Sequence, residues 1–413
     1  MKPTPTSDTS NTPDQPTLAE LEAPYQPQTT SAPQRTTRPQ RLRYDAWFAL
    51  GMLALGAITL YLLSQGGAVF QRPTASQTGT TANIDVRTPQ PVAQSLPPGV
   101  VAAHTREYVF SQPNIGLMQP SVDAQGNIWV GEMGANRLAR LDPHTNHVST
   151  WQPPNGRYNI MSTAIDAQGN VWFTEQAANY IGKFDPATQR FTTYPLEVSN
   201  GRIAAPQDLQ FDRAGMLWFT EINSVKIGRL DPATGAVTTW PISPLPGAKQ
   251  TFPYSLSISG DGGVWFGEIS GGAIGRLDPA TGGIHLYPLP TPDAQVFSTA
   301  ADSQGRIWFT ELQDGKLGMV DSKTGAVVEK PVPQTLGRAA GLYDVVTDAA
   351  GNVWFACASV NALVRYTPQS DSFTFHQLAT PNSTPYGLTL DANGALWFTA
   401  DASPSNYAGT LLP

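Results

Sequence analysis

Ile128-Trp-Val-Gly-Glu132, Val171-Trp-Phe-Thr-Glu175, Leu217-Trp-Phe-Thr-Glu221, Val264-Trp-Phe-Gly-Glu268, Ile307-Trp-Phe-Thr-Glu311, Val353-Trp-Phe-Ala-Cys357 and Leu396-Trp-Phe-Thr-Ala400 are one pentapeptide written seven times. The tryptophans recur at intervals of 43, 46, 47, 43, 46 and 43 residues. A period of about 40–50 residues built from strand-like units is the mark of propeller blades. Working outward from each tryptophan, the unit resolves into four short strands. A D/S-x-x-G turn such as Asp123 to Gly126, Asp212 to Gly215 or Asp391 to Gly394 precedes the Trp strand. Asp bonds its own backbone there and Gly supplies a positive φ, which makes a tight hairpin. A third strand such as Asn179 to Asp185 or Gly272 to Asp278 ends in a D-P-x-T-G turn, for example Asp231 to Gly235. The fourth strand is β-branched and aromatic, as in 191–196, 237–242 and 284–289, and its closing Pro suits a sheet edge.

The last unit ends at Pro413 with its fourth strand missing, and Arg106 to Phe110, ahead of the first unit, has the fourth-strand pattern. The reading is therefore an all-β fold, a seven-bladed β-propeller over 105–413 with four-stranded blades, its N-terminal strand closing the last blade. One Trp per blade at a fixed place is what packing between blades needs, since each blade buries both faces. A ligand cage of tryptophans is set aside on that ground.

The N-terminal part reads differently. Residues 1–43 are rich in Pro, Thr, Gln and Ser and poor in aromatics, a disordered cytoplasmic tail by composition. Ala46 to Leu63 runs eighteen residues without a charge. A helix of that length spans ~27 Å, close to the bilayer core. Tyr44, Trp47 and Tyr61 stand near its ends; Arg35, Arg38, Arg41 and Arg43 precede it and only Arg72 follows soon after. The span 44–64 is thus expected as one transmembrane helix with the N-terminus cytoplasmic and the propeller extracytoplasmic. A core helix or a cleaved signal peptide fits the flanks less well. Residues 65–104 read as a flexible stalk. A single cysteine, Cys357, excludes an internal disulfide and a thiolate metal cluster, and a formal net charge of −7 offers no basic face to nucleic acid. The expected partners are the membrane and an extracytoplasmic small molecule, glycan or protein.

Two sets of residues should meet at one end of the channel. The first follows each Trp by three: Glu132, Glu175, Glu221, Glu268, Glu311, then Cys357 and Ala400. They form either an acidic collar able to bind a cation or polarise a substrate, or caps within each blade, and repetition favours caps. The second precedes the Trp by eleven: Met118, Met161, Gln207, Tyr254, Phe297, Tyr343 and Tyr386, with Asp208 and Asp344 at the next position. It suits a flat or apolar ligand, or plugs the channel.

With h-W-F-T-E, N-x-I-G-R-h-D-P and T-x-Y-P-L-P on the page, the units resemble the streptogramin B lyase (virginiamycin B lyase) family over about 105–413. The resemblance implies a seven-bladed propeller that opens a depsipeptide ring by elimination across an ester, using a metal ion (Mg²⁺), nearby Glu, and a catalytic His in a P-H-[GA]-I segment opening an innermost strand. The matching segments here are Pro385-Tyr-Gly-Leu388, Pro253-Tyr-Ser-Leu256 and Pro206-Gln-Asp-Leu209, without His. His104 lies in the stalk, His144 and His147 at a third-to-fourth strand turn, His285 and His376 on outermost strands. An unshifted Tyr is a poor base at neutral pH. The expectation is a binding or scaffold module working through its axial face. The alternative is a metal-dependent C–O lyase or related hydrolase that draws on Glu175, Glu221 or Glu268 with Asp208 or Asp344. The residues themselves specify no cofactor and no metal ligand. Residues 1–43 contain no signalling module, which makes a sensor the least supported option.

Overall fold

The computed structural model describes residues 79–90, 95–112, 115–154, 159–199, 201–248, 251–402 and 405–412. They form seven sheets, each built on a four-stranded antiparallel blade, and in blades 1–6 those four strands are ordered by sequence from the inside outward. Blade 3 is representative: Pro206–Phe211, Leu217–Glu221, Lys226–Leu230 and Val237–Pro241. The innermost strands of neighbouring blades lie side by side. Blade 7 is completed by Thr105–Val109, which pairs antiparallel with Ser405–Leu411, as the ring-closure reading requires. Where 106–110 was expected, the strand runs one residue earlier.

The blade motif has a physical cause at each place. The turn aspartate does more than cap its own turn. Asp123 accepts backbone N–H groups of Gln125 and Asn127 on Oδ1 at 3.0 and 2.9 Å, and the Trp129 indole N–H on Oδ2 at 2.8 Å. The same indole bond recurs with Asp166, Asp212, Asp302, Asp348 and Asp391, and blade 4 makes it to Ser259. In every blade but the fifth the Trp then packs on an aromatic ring of its fourth strand, as Trp129 on Trp151, Trp172 on Tyr194 and Trp218 on Trp240, at ring separations of 5.2–5.4 Å, while Trp308 of blade 5 lies against Tyr366 of blade 6. The third-strand glycine is there because the Phe after the Trp lies over it. A Cβ on Gly318 would sit 1.9 Å from the Phe309 ring.

The expected span 44–64 and the tail 1–43 lie outside the described residues, and among the described residues no helix is long and apolar enough to cross a membrane. Within 65–104, read as a flexible stalk, the described part is built into the sheets. Thr80–Asn83 adds a fifth strand to blade 1, Asp85–Arg87 to blade 7, and Val100–Ala102 pairs in parallel with the outer strand of blade 6. The stalk reading is corrected there. Three- and four-residue strands that dock through backbone groups carry too little side-chain pattern to be read. The consequence is that the segment before residue 104 joins the closing strand through a strap along blades 1, 7 and 6.

Candidate functional site

In blades 2–7 the innermost strand slips register after its first residues, as between Pro206 and Leu209 or Leu342 and Val345. This bulge sets the ring residues on the axis. In blades 2, 3, 5 and 7 the threonine of W-F-T holds it. Thr174 Oγ1 accepts the Met161 and Ser162 N–H groups and donates to the Gln207 carbonyl of the next blade. Thr220 accepts from Asp208 and donates to Tyr254 O; Thr310 donates to Tyr343 O; Thr399 accepts from Gly387 and donates to Met118 O across the closure. One hydroxyl thus fixes the bulge of its own blade and ties it to the neighbour.

The bulges bring together a small axial cavity lined by Gln119, Met161, Gln207, Asp208, Tyr254, Ser255, Phe297, Ser298, Asp344, Tyr386 and Gly387. Of the seven ring residues expected, Met161, Gln207, Tyr254, Phe297 and Tyr386 line it. Tyr343 packs edge-on against Phe297 and tilted against Tyr386, at 5.0 and 4.9 Å. In blade 1 it is Gln119, not Met118, that reaches the cavity. There Leu117 alone bridges to Glu132 and the inner strand shrinks to Ser121–Val122 after Pro120. Phe297 is the hub of the aromatics, also packing 4.8 Å from Tyr254 and 5.6 Å from Tyr386. The space that remains admits water-sized groups only.

Asp208 and Asp344 occupy equivalent places and do the same thing. Asp208 accepts Ser162 Oγ–H of blade 2 at 2.8 Å, its own Leu209 N–H at 2.8 Å and Leu256 N–H of blade 4 at 2.9 Å. Asp344 accepts Ser298 Oγ–H of blade 5 at 2.6 Å, Val345 N–H at 2.9 Å and Leu388 N–H of blade 7 at 2.8 Å. Each carboxylate therefore staples three blades. Burial pushes Asp208 up to about 6 and Asp344 up to about 7, while the donated hydrogen bonds pull the other way. Ser162, Ser298 and the W-F-T threonines are the working residues that sequence reasoning missed. Their signal was the alternation of Ser and Asp at the position after the ring, and a Thr kept in four of the seven pentapeptides.

The five glutamates do not line this cavity. All are buried at the ends of the second strands; Glu175, Glu221 and Glu311 pair in register with the first residues of their blades' inner and third strands, as Glu311 with Val296 and Lys316, while Glu268 pairs with Pro253 and Glu132 with Arg137 and, by an isolated bridge, Leu117. Glu132 accepts from Arg137 Nε at 2.6 Å, Glu221 from Ser224 Oγ, and Glu268 from Thr251 Oγ1 at 3.1 Å. Glu175 faces the Tyr180 hydroxyl, and Glu311 the Thr291 hydroxyl and Lys316, without a closed hydrogen bond of ordinary geometry at either carboxyl. Burial raises all five carboxyls, Glu268 to about 7 and Glu311 to about 8. Cys357, at the sixth position of this set, is a buried thiol pushed up to about 11 by burial. The histidines stay at the perimeter. His376 stacks on Trp354 and is held down to about 4 by burial and Arg365, and His285 packs on Tyr287.

A model of the virginiamycin B lyase family matches residues 103–404. The chain belongs to that family. A streptogramin B lyase structure superimposes with a TM-score of 0.66 at 26% identity, over 75% of this chain and 98% of that one. A catalytically inactive histidine-to-alanine variant of virginiamycin B lyase from Staphylococcus aureus, with quinupristin, superimposes with a TM-score of 0.66 at 24% identity, over 75% and 99%. No curated protein matches the sequence. The family's implied histidine has no counterpart at the axis of this chain, where Tyr254, Phe297, Tyr343 and Tyr386 meet. The implied Mg²⁺ does not fit either. Mg²⁺ demands near-octahedral oxygens, and among the described residues no three acidic, His or Cys groups converge. The two axial carboxylates also already take three N–H or O–H donors each.

Proposed function

We propose that this protein is a binding or scaffold member of the virginiamycin B lyase family, working through its axial face rather than by the family's elimination. The observation that carries this is the axis itself. Edge-on and tilted aromatics and two stapling aspartates stand where an elimination would need a proton-abstracting imidazole. The uncharged run 46–63 and the arginines before it support a single-pass anchor, with the N-terminus cytoplasmic and the propeller outside. Such a tether suits a module that meets an extracytoplasmic small molecule, glycan or protein.

A ligand screen on the full chain by thermal shift tests the axial assignment, with Gln207→Ala as the paired control. A ligand whose stabilisation is lost in the variant supports it; stabilisation indifferent to Gln207 and Tyr254 moves the function elsewhere on the surface. Protease added outside intact cells is expected to reach the propeller and to spare residues 1–43.

A second reading has one observation in its favour. Asp208 and Asp344 line the cavity with affinities for protons near neutrality, the range a general acid and base use. On that reading the chain is a lyase or hydrolase of cyclic esters with these acids, and Glu175, Glu221 or Glu268 nearby, as its machinery.

A further inference from the structure

The strap strands are not placed at random. The fourth strands of blades 2–5 end Tyr194-Pro195, Trp240-Pro241, Tyr287-Pro288 and Lys330-Pro331, whereas blades 7, 6 and 1 read Tyr108-Val109, His376-Gln377 and Trp151-Gln152. In blades 2–7 the residue after this position donates inward to its own blade, as Leu196 to Asn179, Ile242 to Val225, Leu289 to Gly272, Val332 to Gly315, Leu378 to Asn361 and Phe110 to Asn406. Successive residues of a strand alternate the side to which they turn their backbone groups. Residues 195, 241, 288, 331, 377 and 109 therefore face away from the blade, toward an incoming strand. Proline deletes the N–H there and blunts the edge in blades 2–5. The blades without it are the ones that carry a strap strand. Val109 pairs with Asp85, and Gln377 O accepts Ala103 N–H at 2.9 Å. The docking is specific as well as backbone-made. Thr81 Oγ1 meets Ser149 Oγ at 2.8 Å. Arg87 bonds the fully buried Glu107 at 2.7 Å, which also accepts from Thr380, and lies 5.5 Å from the Tyr407 ring.

We propose that the strands 80–83, 85–87 and 100–102 are an edge cover acting in cis. They keep the chain monomeric by filling the three unblunted edges at the closure seam, and when uncovered those edges pair with the same edges of a second copy of this chain. An open strand edge is a template for another strand, and pairing of like edges about a two-fold axis is self-complementary, which makes the second copy the occupant of choice.

Sedimentation of the full chain in detergent tests this. The wild type is expected to be a monomer. Ala82→Pro/Asp85→Pro, which removes the strap donors that face Val148 and Val109, is expected to form dimers that a synthetic peptide of residues 79–103 returns to monomer. Pro195→Gln/Pro241→Gln leaves the strap untouched and restores outward donors in blades 2 and 3, and it too is expected to associate. Near-ultraviolet circular dichroism of the tryptophans shows whether the ring is intact in each. Monomers in both variants, or a wild type that already dimerises with its strap docked, overturn the proposal.

Discussion

The axial ring and the glutamate set sit close together at the same end of the blades, and they behave in opposite ways. The glutamates are copied into five blades and lie between strands, one with an arginine and four beside hydroxyls of their own surroundings. The axial residues vary from blade to blade and are locked to one another across blades by Thr, Ser and Asp. Repetition marks what every blade needs; variation marks what the ring as a whole needs. Acidity does not discriminate between the two sets, because burial raises the carboxyls of both.

Removing one staple should break the contrast most visibly. Asp344→Ala orphans the Ser298 hydroxyl and the Leu388 N–H, both buried, and is expected to lower stability by about 3 kcal/mol in urea unfolding at pH 6. Thr310→Val strips the Tyr343 carbonyl of its donor and is expected to cost about 1–2 kcal/mol by the same measurement. Glu311→Gln should go the other way. The folded carboxyl titrates near 8 and the unfolded one near its ordinary 4.5. The folded state therefore binds the extra proton across that window, and wild-type stability falls as pH rises through it. The variant should match wild type near pH 5 and exceed it at pH 8. The ceiling is about 1.4 kcal/mol per pH unit, and screening by water at the rim reduces the gain to about 1 kcal/mol in all. Glu132→Gln, which loses an ion pair to a partly exposed Arg137, should change stability by less than about 1 kcal/mol.

Much of this was legible in the residues. Seven tryptophans, their turns and the fourth-strand pattern of 106–110 declare the blades and their closure, because periodic side chains record periodic packing. The ring was legible as a list of residues, from Met161 and Gln207 to Tyr386, but not as a plug. Whether four aromatics stand apart or pack together depends on bulges in their strands, which in blades 5 and 7 are held by threonine hydroxyls. The placement of the glutamates was not legible either, since a strand's last residue can turn to the channel or to the neighbouring blade with the same spacing. Thr80–Asn83 and Asp85–Arg87 were hidden for the reason given by their length: they dock by backbone onto edges whose availability is written elsewhere, in the absence of a proline.

The central claim is that this family member has kept the propeller and not the elimination. Incubating the full chain with a streptogramin B and Mg²⁺, and following ring opening by mass spectrometry, tests it most directly. The account predicts an unopened ring. Opening that is lost in Asp344→Asn or Glu268→Gln would contradict it and establish the carboxylates as catalytic.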